Sequence, residues 1–408
     1  MEGDERNTES PPLEMELNDD DAVEIIELEG QDIDGELAQD MSDVELENNG
    51  SEDGLGEAVG GDVLRDDADV VFEKHSGAVF CVCIDPVSSQ LVASGGEDDK
   101  AYVWKASDGE VLLECTGHKD SVTCVAFCHD SSLVATGDMS GLIKVWSVEK
   151  RQEVWSFEVS DLEWLEWHQG APVLLAGTTD GDMWMWKMPG GDCKTFQGHG
   201  CACGTGEIFP DGKRACAGYE DGSVKVWDLK AGTPIRTLTG CHTDTVTCLA
   251  CHHDNVIIAT GSTDGRTKLV NSVSGKVIAT FDSNSTEGAN KNSVEAVGFS
   301  KMQNLIAIGA LDGNLGLWDV STHILRHQCK HEAGIVRLWW DAVAPFIYVC
   351  TLDGTVHLWD SRNGERVAQW FGHTDGILDF KVSRDGCFLA TASEDKSVRI
   401  FTLQSLDR

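Results

Sequence analysis

Residues 198–228 read GHGCACGTGEIFPDGKRACAGYEDGSVKVWD. Gly198-His199 opens the stretch, Asp221-Gly222 begins 22 residues after the histidine, and Trp227-Asp228 closes it. The residues between alternate in short runs broken at Asp211-Gly212, the pattern of strands joined by tight turns. The same anchors recur along the chain. Asp followed six residues on by Trp occurs at Asp98/Trp104, Asp180/Trp186, Asp221/Trp227, Asp312/Trp318 and Asp353/Trp359. Degenerate copies stand in register at Ser140/Trp146, Asp264/Val270 and Asp395/Phe401, so the Trp column advances in steps of 40 to 48 residues. His75, His118, His199, His242, His331 and His373 precede the Asp column by 22 or 23 residues. Two anchors at a fixed offset mark a repeated supersecondary unit that buries its apolar face only against its neighbours.

A Gly-His/Trp-Asp repeat of this length resembles the WD40 family, which implies an all-β fold, a β-propeller of four-stranded blades. Each repeat then supplies the outer strand of one blade and the three inner strands of the next. Eight repeats make eight blades, and the last lacks its outer strand because the chain stops soon after Phe401. The one spare strand-like piece, residues 69–73, is expected to close the ring and leave no open sheet edge. A seven-bladed ring would have to demote the repeat around Val270 or the His-free one around Trp186, and both keep Asp-Gly in register. The resemblance also implies that His75, Ser94, Asp98 and Trp104 form a hydrogen-bonded set inside a blade. The corresponding positions, His118, Trp146, Asp180, Trp186, His199, Asp221, Trp227, Asp264, Asp312, Trp318, Asp353, Trp359 and Asp395, then read as structural anchors. A His-Asp-Ser combination that returns in blade after blade is not a serine-hydrolase triad, because an enzyme needs one site.

The chain carries 70 acidic and 31 basic side chains, a net charge of −39. Residues 1–72 hold 26 of the acids and two of the bases, leaving 44 and 29 for residues 73–408. Residues 1–67 are therefore expected to be a disordered acidic tail, since they offer almost nothing to bury. Within it, Val23-Glu24-Ile25-Ile26-Glu27-Leu28 is an aliphatic run of the kind that can add a strand to a partner sheet. Residues 68–408 are expected to be the propeller. A surface of this sign repels nucleic acid and suits a basic protein partner. No apolar run is long enough to span a membrane, so any membrane association is expected to be peripheral. The N-terminus lacks a secretory pattern, and 15 scattered cysteines read as reduced thiols of a cytoplasmic or nuclear monomer.

Other motif matches dissolve in the repeat register. Cys248-Leu249-Ala250-Cys251-His252 spells a haem-attachment string but falls on an inner strand. Cys81/Cys83 and Cys201/Cys203 lack a second pair at zinc-finger spacing. Gly198-His199-Gly200 and Gly204 have no following helix to bind phosphate. Neither a cofactor, a metal nor a catalytic set is expected, and the chain reads as a binding scaffold.

Further stretches lie outside the generic repeat anchors: SFEV at 156–159, LEWLEWH at 162–168, GDCKTFQG at 191–198, PDGKRA at 210–215 and LRHQC at 325–329. Together with the acidic leader they resemble the angio-associated migratory cell protein family over nearly the whole chain. That resemblance implies a cytoplasmic, partly cell-membrane-peripheral protein linked to cell migration and angiogenesis. It also implies relatedness to fungal chaperones that escort a newly made large-subunit ribosomal protein in ribosome biogenesis. An acidic propeller face would attract and shield the basic end of such a protein. Its candidate residues are Glu97, Glu220 and Glu394, immediately before the Asp anchor, and Asp161, Glu163 and Glu295, early on the innermost strand, with Lys291 diluting the charge beside Glu295. A different reading rests on Trp359-Asp360-Ser361-Arg362, which resembles the string that substrate receptors of cullin-type ubiquitin ligases use to join their adaptor.

Overall fold

The computed structural model describes residues 65–283 and 292–403. The acidic segment before residue 65, its Val23–Leu28 run and Lys291 lie outside the described residues. Among the described residues the strands form eight four-stranded antiparallel sheets, the blades of a β-propeller around a central channel. The innermost strands are, in blade order, Val79–Ile84, Val122–Phe127, Leu162–Trp167, Thr205–Ile208, Val246–Cys251, Val294–Phe299, Ile335–Trp340 and Ile377–Val382.

Blades stack closely where the first residue of an inner strand is apolar and faces a gap on the blade before it. Val122, Val246, Val294 and Ile335 are fully buried. Each occupies the space that a side chain would need at Gly95, Gly218, Gly261 or Gly309. At Gly309, for example, a Cβ would stand 2.7 Å from Ile335 Cγ2. The glycines thus set the blade spacing, and the eight cores are dominated by Val, Ile, Leu, Ala and Trp.

The ring closes through a strand of three residues, Val70–Phe72, which pairs antiparallel with Val398–Thr402. It is shorter than the expected 69–73 piece, with Val70 opposite Ile400 and Phe72 opposite Val398. Asp69 adds a bond at each end of its own residue: its N–H donates to Ile400 O at 2.8 Å, and its carboxylate accepts from Thr402 N–H at 2.7 Å. Phe72 is 2 % exposed and stacks on Trp104 of the first blade at 4.5 Å. This one side chain ties the last blade's edge into the first blade's core.

In seven blades the inner strand carries a β-bulge one residue after its start, at Phe80, Thr123, Glu163, Thr247, Glu295, Val336 and Leu378. A bulge re-aims the side chain it carries. Two of the candidate acids, Glu163 and Glu295, owe their position to it.

Candidate protein-binding face

The anchors come first, because they hold the loops that carry the acids. In blade 1, His75 Nδ1 meets Asp98 Oδ1 at 2.9 Å and Nε2 meets Ser94 Oγ at 3.0 Å, while Trp104 Nε1 donates to the same hydroxyl at 3.2 Å. With its proton on Nδ1, the imidazole uses every polar atom once: indole to hydroxyl, hydroxyl to Nε2, Nδ1 to carboxylate. Blades 5 and 8 repeat the histidine's two bonds through His242, Thr260 and Asp264, and through His373, Thr391 and Asp395, without the indole because Val270 and Phe401 stand in the Trp column. Burial pushes the Asp264 carboxyl up, but bonds from His242 and from the Thr243 and Arg266 N–H groups outweigh it and hold the group at about 2.

Five blades depart from the register read in the sequence. In blade 2 the partner of His118 is Asp138, two residues before the Ser140 position; it also accepts from the Ser140 hydroxyl, which explains how the column tolerates serine. Blades 3 and 4 carry Ala176 and Ala217 where Ser94 and Thr136 stand, so Trp186 and Trp227 have no hydroxyl opposite. His199 and Asp221 still pair, at 2.9 Å, but their side chains are 33 % and 45 % exposed, so this anchor is a surface pair and not a buried one. In blade 7, His331 does not reach Asp353: Nδ1 faces Gly313 O and Nε2 accepts from Trp359 Nε1. Asp180 and Asp353 each accept from a threonine hydroxyl two residues back, and Asp312 accepts from Asn314.

Next to each anchor, one residue bonds back to a residue just before its own inner strand. These eight equivalent positions are Glu97, Met139, Thr179, Glu220, Thr263, Leu311, Leu352 and Glu394, joined through their N–H groups to the carbonyls of residues 78, 121, 161, 202, 245, 293, 334 and 376. They form a ring on the face of the propeller that also carries the anchor histidines, called the top here.

Glu97, Asp161, Glu163, Glu220 and Glu394 are exposed on this face, and Glu295 is half-buried with its carboxylate accepting from the Ser293 hydroxyl at 2.5 Å. They do not form one even ring. Asp161, Glu163 and Glu220 gather on blades 3 and 4, where partial burial and the charges of Glu220 and Asp161 push the Glu163 carboxyl up. Glu97 and Glu394 stand on the neighbouring blades 1 and 8, and Glu97 Oε2 also accepts from Ala78 N–H at 3.1 Å.

Below the mouth, the channel holds charges that the repeat reading passed over. The innermost strand of a blade is a sheet edge whose N–H groups face the channel. Glu166 accepts from Ile208 N–H at 3.0 Å, Glu207 from Cys251 N–H at 2.9 Å, and Asp379 from Val82 N–H at 3.1 Å, each reaching to the next blade. Arg337 and Lys381 line the same channel, and Arg337 Nε lies 3.8 Å from Asp379. A signal was present in the strand register: Glu166 and Glu207 occupy the position held by Cys83, Ala126, Ala250 and Gly298 in other blades. Channel walls surround both carboxyls. Burial raises Glu166 to about 7, and burial together with the Glu166 charge raises Glu207 to about 8.

The sign of this shift gives a prediction. An unfolded glutamate ionises near about 4.3. Folding therefore takes up protons between that pH and about 8, and stability falls as pH rises through the window. The Glu166→Gln and Glu207→Gln variants are expected to gain roughly 1–3 kcal/mol at pH 8 and nothing near pH 4. Urea unfolding at both pH values measures it; an equal effect at the two would contradict the assignment.

Two groups of described residues bring possible metal ligands within 4.8 Å of one another: Cys128, His129 and Asp130, and His199, Cys201 and Asp221. In the second, His199 and Asp221 already bond to each other and to Ser223. Cys248 and His252 are buried and Cys251 lies with its sulfur 3.4 Å from that of Cys216, between blades 4 and 5. Arg362 of the Trp-Asp-Ser-Arg string folds back on its own Asp360 with a two-pronged bond of 2.9 and 2.6 Å.

The chain matches the family model described as WD domain, G-beta repeat at residues 69–105, 109–147 and 190–228. It matches the model for the Nucleolar protein 10-like N-terminal domain over residues 214–407. Among solved structures, the Chaetomium thermophilum Sqt1 bound to the N-terminus of the ribosomal protein L10 has a TM-score of 0.76 at 22 % identity, covering 83 % of this chain and all of that one. The Saccharomyces cerevisiae ribosome assembly protein SQT1 is 24 % identical over 76 % of this chain and 78 % of its own. The human angio-associated migratory cell protein is 49 % identical over 98 % of both chains. At that identity and coverage, this chain belongs to the angio-associated migratory cell protein family.

Proposed function

We propose that the protein is a non-enzymatic carrier that holds the basic, extended terminus of a large-subunit ribosomal protein across its acidic top face. The observation that supports this most is the gathering of Asp161, Glu163 and Glu220, where partial burial and then the charges of Glu220 and Asp161 raise the Glu163 carboxyl. Like charges held together are relieved when a cationic partner settles among them. A structural neighbour, Sqt1, was crystallised with the N-terminus of the ribosomal protein L10. The reading places the protein in the cytoplasm, where ribosomal proteins are made, and needs no direct contact with RNA.

The test is affinity purification from a lysate at about 0.05 M and about 0.5 M salt, with identification of bound proteins. A basic ribosomal protein recovered at low salt and lost at high salt is the expected result. Recovery of a cullin adaptor at both, without a ribosomal protein, would favour the ligase-receptor reading, although the guanidinium that reading requires is engaged by Asp360.

A further inference from the structure

The top face is not acidic all round. At the ring positions of blades 6 and 7 it presents Leu311 and Leu352, 47 % and 42 % exposed. These are the positions that carry Glu97, Glu220 and Glu394 on other blades, so the backbone aims them at the same solvent. The two leucines are neighbours. A Cβ placed on Gly334 would stand 2.7 Å from Leu311 O, 3.0 Å from Leu311 Cδ1 and 3.2 Å from Leu352 Cδ1, so the two leucine side chains close side by side over the buried glycine. A Cβ placed on Gly376 would stand 3.2 Å from Leu352 O and 3.5 Å from Leu352 Cδ2, so Leu352 also packs over this buried glycine. The bulge residues of blades 7 and 8, Val336 and Leu378, are half-buried apolar side chains where blades 3 and 6 carry Glu163 and Glu295. Carboxylates flank this apolar strip, Glu295 on blade 6 and Glu394 on blade 8.

Exposed leucines occur singly on most surfaces, but two side by side over a buried glycine form one apolar patch on which a third side chain can settle. Charge and apolar contact then divide the work of binding. Carboxylates act over distance, speed encounter and are screened by salt, whereas a buried apolar side chain slows departure and is indifferent to salt. A small desolvated anchor inside a polar surround is the usual form of an interface hot spot.

We propose that Leu311 and Leu352, side by side over Gly334, form an apolar subsite that takes one bulky apolar side chain of the partner peptide, with basic residues on either side of it meeting Glu295 and Glu394. This rests on the top face being the peptide site and adds a sequence requirement to it. The partner segment must carry an apolar residue between cations, so charge alone does not define it.

The test uses the full chain and two fluorescent peptides of equal charge, Lys-Arg-Ala-Tyr-Ala-Arg-Lys and the same peptide with Ser for Tyr. Fluorescence anisotropy is expected to show the tyrosine peptide binding about tenfold tighter, the equivalent of about 1.4 kcal/mol. Leu311→Ser with Leu352→Ser should remove that advantage while leaving the serine peptide unchanged. Both leucines are exposed, so a thermal melt should show the variant folded; Leu311→Met with Leu352→Met should restore the preference. Equal binding of both peptides to the native chain overturns the subsite and leaves the acidic-face reading standing. Failure of both to bind at low salt overturns the two together.

Discussion

Removal of residues 1–74 is expected to open the propeller, whereas removal of residues 1–60 should leave its melting temperature nearly unchanged. The longer deletion takes away the closing strand Val70–Phe72, the Asp69 carboxylate that receives Thr402 N–H, and the Phe72 ring stacked on Trp104. Loss of a buried phenylalanine alone costs about 3–5 kcal/mol. For a domain of this size that corresponds to a fall of roughly 4–7 °C, before the lost strand pairing is added. The strand Val398–Thr402 would also become an open edge and invite association between chains. Phe72→Ala separates packing from pairing, since it keeps the strand and loses the ring. Differential scanning calorimetry on the three variants decides the matter. If both deletions melt alike, closure by this strand contributes nothing.

Reversal of Glu163, Glu220 and Glu394 to Lys is expected to lower affinity for a basic peptide by about 100-fold or more, with no loss of fold. The choice of residues follows from their partners. Glu97 is spared because its carboxylate receives Ala78 N–H, so its loss would confuse stability with binding. Glu163 sits against two other acids, and a lysine there converts repulsion into attraction. Exposed substitutions of this kind change stability by about 0.5 kcal/mol each or less. Isothermal titration calorimetry gives the affinity and a thermal melt gives the control. A folded triple variant that binds as tightly as the native chain would remove the top face from the account.

The blade count and the closing strand were legible because tryptophan, aspartate and histidine columns keep their spacing wherever a blade needs them. The details were less so where another residue does the same physical task. Asp138 supplies the carboxylate that the column lacks at Ser140, and a pattern defined by position cannot see a donor's partner move by two residues. His331 keeps its column but turns to Gly313 and Trp359, because Val349 replaces the hydroxyl that would orient it. The exposed acids could be located from their loop positions. Their grouping on blades 3 and 4 could not, since neighbours across blades are about 40 to 60 residues apart in the chain. Glu166 and Glu207 were overlooked because an inner strand reads as core, although in a propeller it is also an edge with N–H groups to satisfy. Leu311 and Leu352 show the reverse case: apolar letters in strand-like runs, standing in solvent because the turn places them there.

If fixed carboxylates of the top face hold a basic peptide, the binding must depend on salt. A chain beginning at Arg65 removes the acidic leader as a competing site and keeps the closing strand. Titrated with a basic, extended peptide in fluorescence anisotropy, it is predicted to bind at about 0.05 M salt and to lose affinity steeply as salt rises past about 0.15 M, where the screening length falls to about 8 Å. No binding at low salt, or an affinity that does not change with salt, would contradict it.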